Sequence, residues 1–216
     1  MKLNNNYIKE KLNKVYWING GPCSGKTTMT NKLVEEYGFK NITEDIVKYR
    51  KYTNKEKNPN MQYPNPNLDW DKWFNRPIDN YVNWLHGLGK EFLQFLIVDL
   101  LACKSDKLIV VDLGVLAKEI FDIIPKERMI CFYTSPKEVE RLYFFRKDHK
   151  MILDRIEADT INPKATIKHA SKSMVKFGED IVEACKKHGV KTVERTNDLS
   201  IEKQFDILKT HFKLKG

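Results

Sequence analysis

The sequence lacks the features that mark membrane, secreted and zinc-binding proteins. No apolar run approaches the roughly 20 residues that span a bilayer, and residues 1–14 have no apolar core like that of a secretory signal. The four cysteines lie far apart, without a C-x-x-C pair, and the five histidines are dispersed. We therefore expect reduced thiols in a cytoplasmic protein, without a membrane partner, a disulfide framework or a zinc site.

The positive charge of the chain is not arranged as in a nucleic-acid-binding module. Its 216 residues include 38 lysines and arginines against 29 acidic residues, a formal charge of +9. The lysines are spread along the whole chain, with no arginine-rich arm, and positive potential also favours phosphate-handling enzymes. Nucleic acid is therefore a possible partner but not a favoured one. We expect a single domain, residues 1–216, that is a monomer or homodimer.

One short stretch, residues 15–33, has the sequence VYWINGGPCSGKTTMTNKL. Within it, Gly20, Gly25, Lys26 and Thr27 fit the pattern G-x-x-x-x-G-K-[ST], the phosphate-binding P-loop. The residues before it read as a short buried strand, and those after it as a helix. This strand-loop-helix context is the one that the motif requires.

The residue types of this loop suit a triphosphate. Glycines let successive backbone N–H groups turn inward around phosphate oxygens, and the following helix dipole adds to the field. We expect Lys26 to reach the β and γ phosphates of ATP, and the Thr27 hydroxyl to coordinate Mg²⁺. Cys23, near the helix N-terminus, is either a thiol with a lowered pKa or merely a residue small enough to fit. The predicted nucleotide-binding residues are Gly20, Gly21, Pro22, Cys23, Ser24, Gly25, Lys26, Thr27 and Thr28.

Further strands and helices alternate along the chain. Residues 39–43 and the runs KLIVVDLG, RMICFYTSPKEV and VKTVERT read as strands, separated by helical patterns. This alternation predicts an α/β fold with a parallel sheet covered by helices on both faces. Ligands in such folds bind beyond the carboxyl ends of the strands.

Acidic residues follow two of these strands. Asp112 ends an apolar run as a Walker B aspartate does, and either holds magnesium or is an exposed strand-end carboxylate. Asp45 could orient or deprotonate an acceptor hydroxyl, with Glu44 as a competing candidate. The alternative for Asp45 is a simple helix cap.

Two later regions supply further candidates. A basic segment, about residues 141–163, could form a lid in which Arg141 or Arg146 grips the transferring phosphate, or it could be a solvated helix face. An aromatic-rich insertion, about residues 51–103, is assigned to acceptor binding through Trp73 and Arg76. Its aromatic residues could instead only pack the segment against the domain.

The sequence resembles the P-loop kinases of small molecules, the nucleoside- and nucleotide-kinase-like group that includes shikimate kinase and chloramphenicol phosphotransferase. The resemblance rests on GGPCSGKTT, on ITED, on KLIVVD and on the arginine-bearing segment after CFYTSP. It implies a three-layer fold with a five-stranded parallel sheet, Mg-ATP as phosphoryl donor, and a mobile lid. The D-G-F-P-R segment of nucleoside monophosphate kinases and the glycine triplet of shikimate kinase are absent.

The resemblance implies an ATP-dependent phosphotransferase whose acceptor is a nucleotide, a nucleoside or another small hydroxyl compound. Two alternatives remain open at this point. One is a polynucleotide or RNA end kinase, and the other is a switch or interaction protein that hydrolyses a nucleotide slowly.

Overall fold

The fold is built on a five-stranded, all-parallel sheet with the strand order β2-β3-β1-β4-β5. A computed structural model describes residues 5–42, 46–62 and 68–214. The predicted α/β class and five-stranded parallel sheet are confirmed. The strands are β1 (Val15–Gly20), β2 (Lys40–Ile42), β3 (Ile109–Asp112), β4 (Met129–Thr134) and β5 (Lys191–Arg195).

Helices connect the strands and cover both faces of the sheet. They are α1 (Asn5–Lys11), α2 (Lys26–Tyr37), α3 (Ile46–Arg50), α4 (Trp70–Phe74), α5 (Ile78–Ala102), α6 (Lys118–Ile123), α7 (Pro136–Leu142), α8 (Lys150–Asp159), α9 (Pro163–Lys187) and α10 (Ile201–Phe212). Short 3-10 helices lie at Lys126–Arg128, Tyr143–Phe145 and Lys147–His149. Of the helices within the described ranges, none has the length and apolar character that crossing a membrane requires.

Alternation along β1 divides the core into two apolar clusters. Trp17 packs on one face with Leu93 of α5 and Ile181 of α9. Ile18 packs on the opposite face with Leu33 of α2, together with α10. Side chains that alternate in this way require a helical layer on each side of the sheet, which is the three-layer arrangement that the structure has.

A third cluster, rich in aromatic residues, lies apart from the sheet. It joins α4 and the start of α5 to α7, α8 and α9, and includes Trp73, Tyr81 and Phe144. α5 begins at Ile78, directly after Pro77. The aromatic-rich segment is therefore packed against α7, α8 and α9.

The order of the strands decides where a ligand can bind. β1 lies between β3 and β4, and Ile18 pairs with Asp112 while Gly20 pairs with Phe132. The chain passes from β1 to β2 on one side of the sheet, and later from β3 to β4 on the other side of β1. This change of direction opens a crevice at the carboxyl end of β1. The glycine-rich loop occupies this position.

Candidate active site

The loop between β1 and α2 needs glycine at two positions. Gly20 has φ 134°, and a Cβ there would lie 1.8 Å from the backbone oxygen of Phe132 on β4. Gly25 has φ 86° and precedes α2, whose first N–H groups donate no capping hydrogen bond to a described side chain. The open N–H groups and the helix dipole make this turn suited to anion binding.

Hydrogen bonds hold the loop in a closed shape. Ser24 Oγ and Lys26 Nζ both donate to the backbone oxygen of Gly21, at 2.8 Å and 2.9 Å. Asn19, fully buried, accepts from the Gly20 N–H at 2.9 Å and from the Val115 N–H at 3.0 Å. The Lys26 ammonium is therefore held against the loop by the Gly21 carbonyl.

Cys23 does not have the activated thiol that a helix N-terminus could produce. Burial raises the pKa of Cys23, and the nearby positive charge and hydrogen bond of Arg146 lower it only in part, so the net pKa is above the usual value. Its φ of 60° is unusual for a residue with a side chain. The observations favour the alternative, a small residue that fits a tight loop.

Thr27 and Asp112 form an oxygen pair beside the loop. Thr27 Oγ1 donates to Asp112 Oδ2 at 2.7 Å, because α2 starts beside the carboxyl end of β3. Hydroxyl and carboxylate oxygens are the donors that Mg²⁺ prefers, and Mg²⁺ typically takes its remaining ligands from substrate phosphates and water. Within the described parts of the chain, no group of three or more His, Cys, Asp or Glu could hold a metal.

Of the cavities that border the loop in the described part of the chain, two share its polar side chains. The larger cavity, about 520 Å³, extends from the loop toward α5 and α9, and the smaller cavity, about 220 Å³, lies over the start of α2. Lys26, Thr27 and Arg146 line both of them. A group held by these side chains is therefore accessible from either cavity.

The structure separates the two arginines that the sequence left as alternatives. Arg146, in the segment between α7 and α8, lines both cavities and forms a two-pronged ion pair with Asp148, at 3.0 Å and 2.5 Å. Arg141 lies on α7 and forms its own two-pronged pair with Glu138, at 3.0 Å and 2.6 Å. Among the described lining residues of the two cavities, Arg141 does not occur.

Several site residues were missed by sequence reasoning. Arg195, at the end of β5, donates to the backbone oxygen of Cys23 at 2.9 Å and lines the smaller cavity. Gln204 of α10 donates to the backbone oxygen of Ser24 at 3.2 Å. Arg195 could have been found from its place, since it is a polar residue at the carboxyl end of the last predicted strand. No sequence pattern indicated Gln204.

Trp73 and Arg76 lie in the aromatic cluster. The Arg76 guanidinium stacks over the Trp73 ring, with 3.4 Å between its central carbon and the ring centroid, and it is 4.1 Å from the Tyr81 centroid. Trp73 is only 5% exposed. Neither residue is among the described residues that line the two cavities, so their predicted role in acceptor binding stays a prediction.

Glu44 and Asp45 lie outside the described residues. The described chain before them ends at Ile42 of β2, which pairs with Val111 of β3. Their predicted roles in orienting an acceptor hydroxyl stay predictions.

Replacing Arg76 by alanine distinguishes a packing role of this residue from a role in acceptor binding. A stacked guanidinium contributes about 1–2 kcal/mol when desolvated, so we expect Arg76→Ala to lower Tm by about 2–8 °C. Differential scanning calorimetry measures this, with Lys72→Ala, an exposed α4 variant, as control. An unchanged Tm together with weakened acceptor binding would instead assign Arg76 to the acceptor.

Comparisons with known proteins find a structural likeness but no sequence family. No protein-family model matches the chain, and no curated protein matches it. A similar solved structure is the crystal structure of the YorR protein from Bacillus subtilis in complex with phosphorylated GDP, with 13% identity and a TM-score of 0.46 over 93% of this chain and 96% of that one. At these values the likeness carries no inference about ligand or reaction, so function must be argued from the chemistry of the site.

Proposed function

We propose that this protein is a phosphotransferase that moves the γ-phosphoryl group of Mg-ATP to a small hydroxyl compound. The observation that carries the proposal is the sharing of Lys26, Thr27 and Arg146 by two cavities. The smaller cavity, at the start of α2, suits the phosphates of the donor. The larger cavity then has room for an acceptor on the other side of the same side chains.

Each shared side chain has a role that follows from its chemistry. Lys26 neutralises charge on the transferring phosphoryl group, and Arg146, whose Nε and one terminal nitrogen hold Asp148, adds positive charge and its remaining N–H donors. Thr27 and Asp112 supply the oxygen ligands for magnesium. When bound between these residues and the donor, Mg²⁺ would supply positive charge that offsets the charge developing on the phosphates. Phosphoryl transfer depends mainly on such positioning and charge stabilisation.

The size of the larger cavity favours transfer over simple hydrolysis. A volume of about 520 Å³ exceeds what an attacking water needs and falls in the range of small-molecule sites, roughly 300–1,000 Å³. A slow switch that hydrolyses its nucleotide has no need of this second cavity.

Labelled ATP tests the reaction directly. The full chain with magnesium and γ-labelled ATP is supplied with nucleosides, nucleotides, sugars and a 5′-hydroxyl oligonucleotide, and the products are separated. Transfer of label to a small acceptor supports the proposal. Label that appears only in inorganic phosphate, or only on the oligonucleotide, would contradict it.

The metal role of Asp112 predicts a specific kinetic change. Asp112→Asn keeps the shape of the side chain but removes its charge, so we expect the magnesium concentration for half-maximal activity to rise about tenfold or more. A magnesium titration at fixed ATP measures this shift. Asp106→Asn, an exposed change in the segment before β3, is the matched control. An unchanged magnesium requirement in Asp112→Asn would remove Asp112 from the metal site.

A further inference from the structure

One wall of the larger cavity is apolar and can pack against a flat ring. Leu85, Leu88 and Phe92 face it from α5, at the spacing of one helical face, and Phe177 faces it from α9. Pockets that bind ring-containing ligands combine such a wall with a few placed polar groups.

The basic side chains of this cavity are already engaged. Among the described residues that line it, the basic ones are Lys26, Arg146 and His149. Lys26 belongs to the phosphate loop, and Arg146 holds Asp148 with two hydrogen bonds. His149 donates its Nδ1 proton to a backbone carbonyl at 2.6 Å. An anionic acceptor would therefore have to compete with the donor phosphates for Lys26, or with partners inside the protein for Arg146 and His149.

The fixed charges of the cavity balance before any ligand enters. Asp112 and Asp148 offset Lys26 and Arg146. Burial raises the pKa of Asp148, but the hydrogen bond and charge of Arg146 outweigh it and leave that pKa below the usual value. Asp148 is therefore ionised at neutral pH, and the phosphates of a bound donor make the cavity more negative.

The two internal segments outside the described residues carry no positively charged side chain. Residues 43–45 and 63–67 contain no lysine or arginine, and the first of these segments contains Glu44 and Asp45. A second phosphate in the larger cavity would be an anion without its own cation, which is costly away from water.

A neutral ligand, by contrast, finds a hydrogen-bonding group. Asn41 lines the larger cavity, and its buried side-chain oxygen has no partner among the described residues. Buried polar atoms in folded proteins almost always have a partner. An N–H or O–H of a neutral ring compound can supply one.

We infer that the acceptor is an uncharged, ring-bearing hydroxyl compound of the nucleoside type, and not a phosphomonoester such as a nucleoside monophosphate. The inference rests on the proposed function and narrows its acceptor class. The apolar wall takes the ring, Asn41 pairs with a polar edge of it, and the acceptor hydroxyl meets the phosphoryl group between Lys26 and Arg146.

Binding measurements in a non-reacting complex test this inference. The full chain is titrated by calorimetry with magnesium and a non-hydrolysable ATP analogue, and then with nucleosides and their matching 5′-monophosphates. We expect at least one nucleoside to bind about tenfold or more tightly than its monophosphate. Equal or tighter binding of the monophosphates, or binding of neither class, would overturn the inference. Failure of the ATP analogue to bind would instead overturn the proposed function.

A charge variant tests the reason for the preference. Asp148→Asn removes one carboxylate and frees the Arg146 fork, so the preference for nucleoside over monophosphate should shrink about tenfold. Asp154→Asn, which removes the exposed partner of Lys150 on α8, is the control and should leave the ratio unchanged. An unchanged ratio in Asp148→Asn would show that cavity charge does not select the acceptor.

Discussion

Lys26→Ala is expected to lower turnover about 100- to 1000-fold while the protein stays folded. The ammonium is held against the phosphate loop, 2.9 Å from the Gly21 carbonyl. Its loss leaves the negative charge that develops on the transferring phosphoryl group without its nearest fixed cation. Steady-state rates with γ-labelled ATP measure the effect, and calorimetry measures the accompanying change in Mg-ATP affinity.

A second lysine on the same helix provides the control for this variant. Lys32 pairs with Glu36 at 2.7 Å on α2 and is remote from the loop. A partly exposed pair of this kind, with the ammonium also 4.9 Å from the Phe205 ring centroid, contributes modestly to stability, so Lys32→Ala should stay folded and keep its turnover. A folded Lys26→Ala protein with turnover within tenfold of the parent would contradict the role of the loop in catalysis.

Arg146→Ala should lower turnover about 100-fold or more, because Arg146, like Lys26 and Thr27, lines both cavities. Arg146→Lys keeps the positive charge but loses the planar pair of donors, so we expect an intermediate rate. Both kcat and KM for ATP should be measured. A loss confined to kcat would indicate a contact made mainly in the transition state.

Arg141 supplies the matched comparison for Arg146. Its guanidinium is engaged by Glu138 on the surface of α7, and the described residues that line the cavities do not include it. Arg141→Ala should therefore have nearly the parent turnover. Equal losses in the two alanine variants would mean that the segment moves in the catalytic cycle, and that the arrangement described here does not by itself identify the working arginine.

Features that depend on residues close together in the sequence were predictable from the sequence. The phosphate loop is a run of consecutive residues whose backbone angles follow from its glycines, and the start of α2 follows directly from it. The parallel sheet was predictable because a helix between two strands returns the chain to the same end of the sheet, so that the second strand runs parallel to the first. Asp112 was predictable because it ends a recognisable buried strand.

Features that depend on long-range packing were decided only by the tertiary structure. Arg141 and Arg146 are five positions apart in one basic segment, and only the turn after α7 directs one of them into the site. The stacking of Arg76 on aromatic rings and the bond from Arg195 to the loop need elements that are far apart in sequence. Sequence pattern determined the conformation of the glycine-rich loop because that conformation is local. The partners, walls and charge balance of the site were decided by the fold, since they arise where β1, β3, β5, α5 and α9 converge.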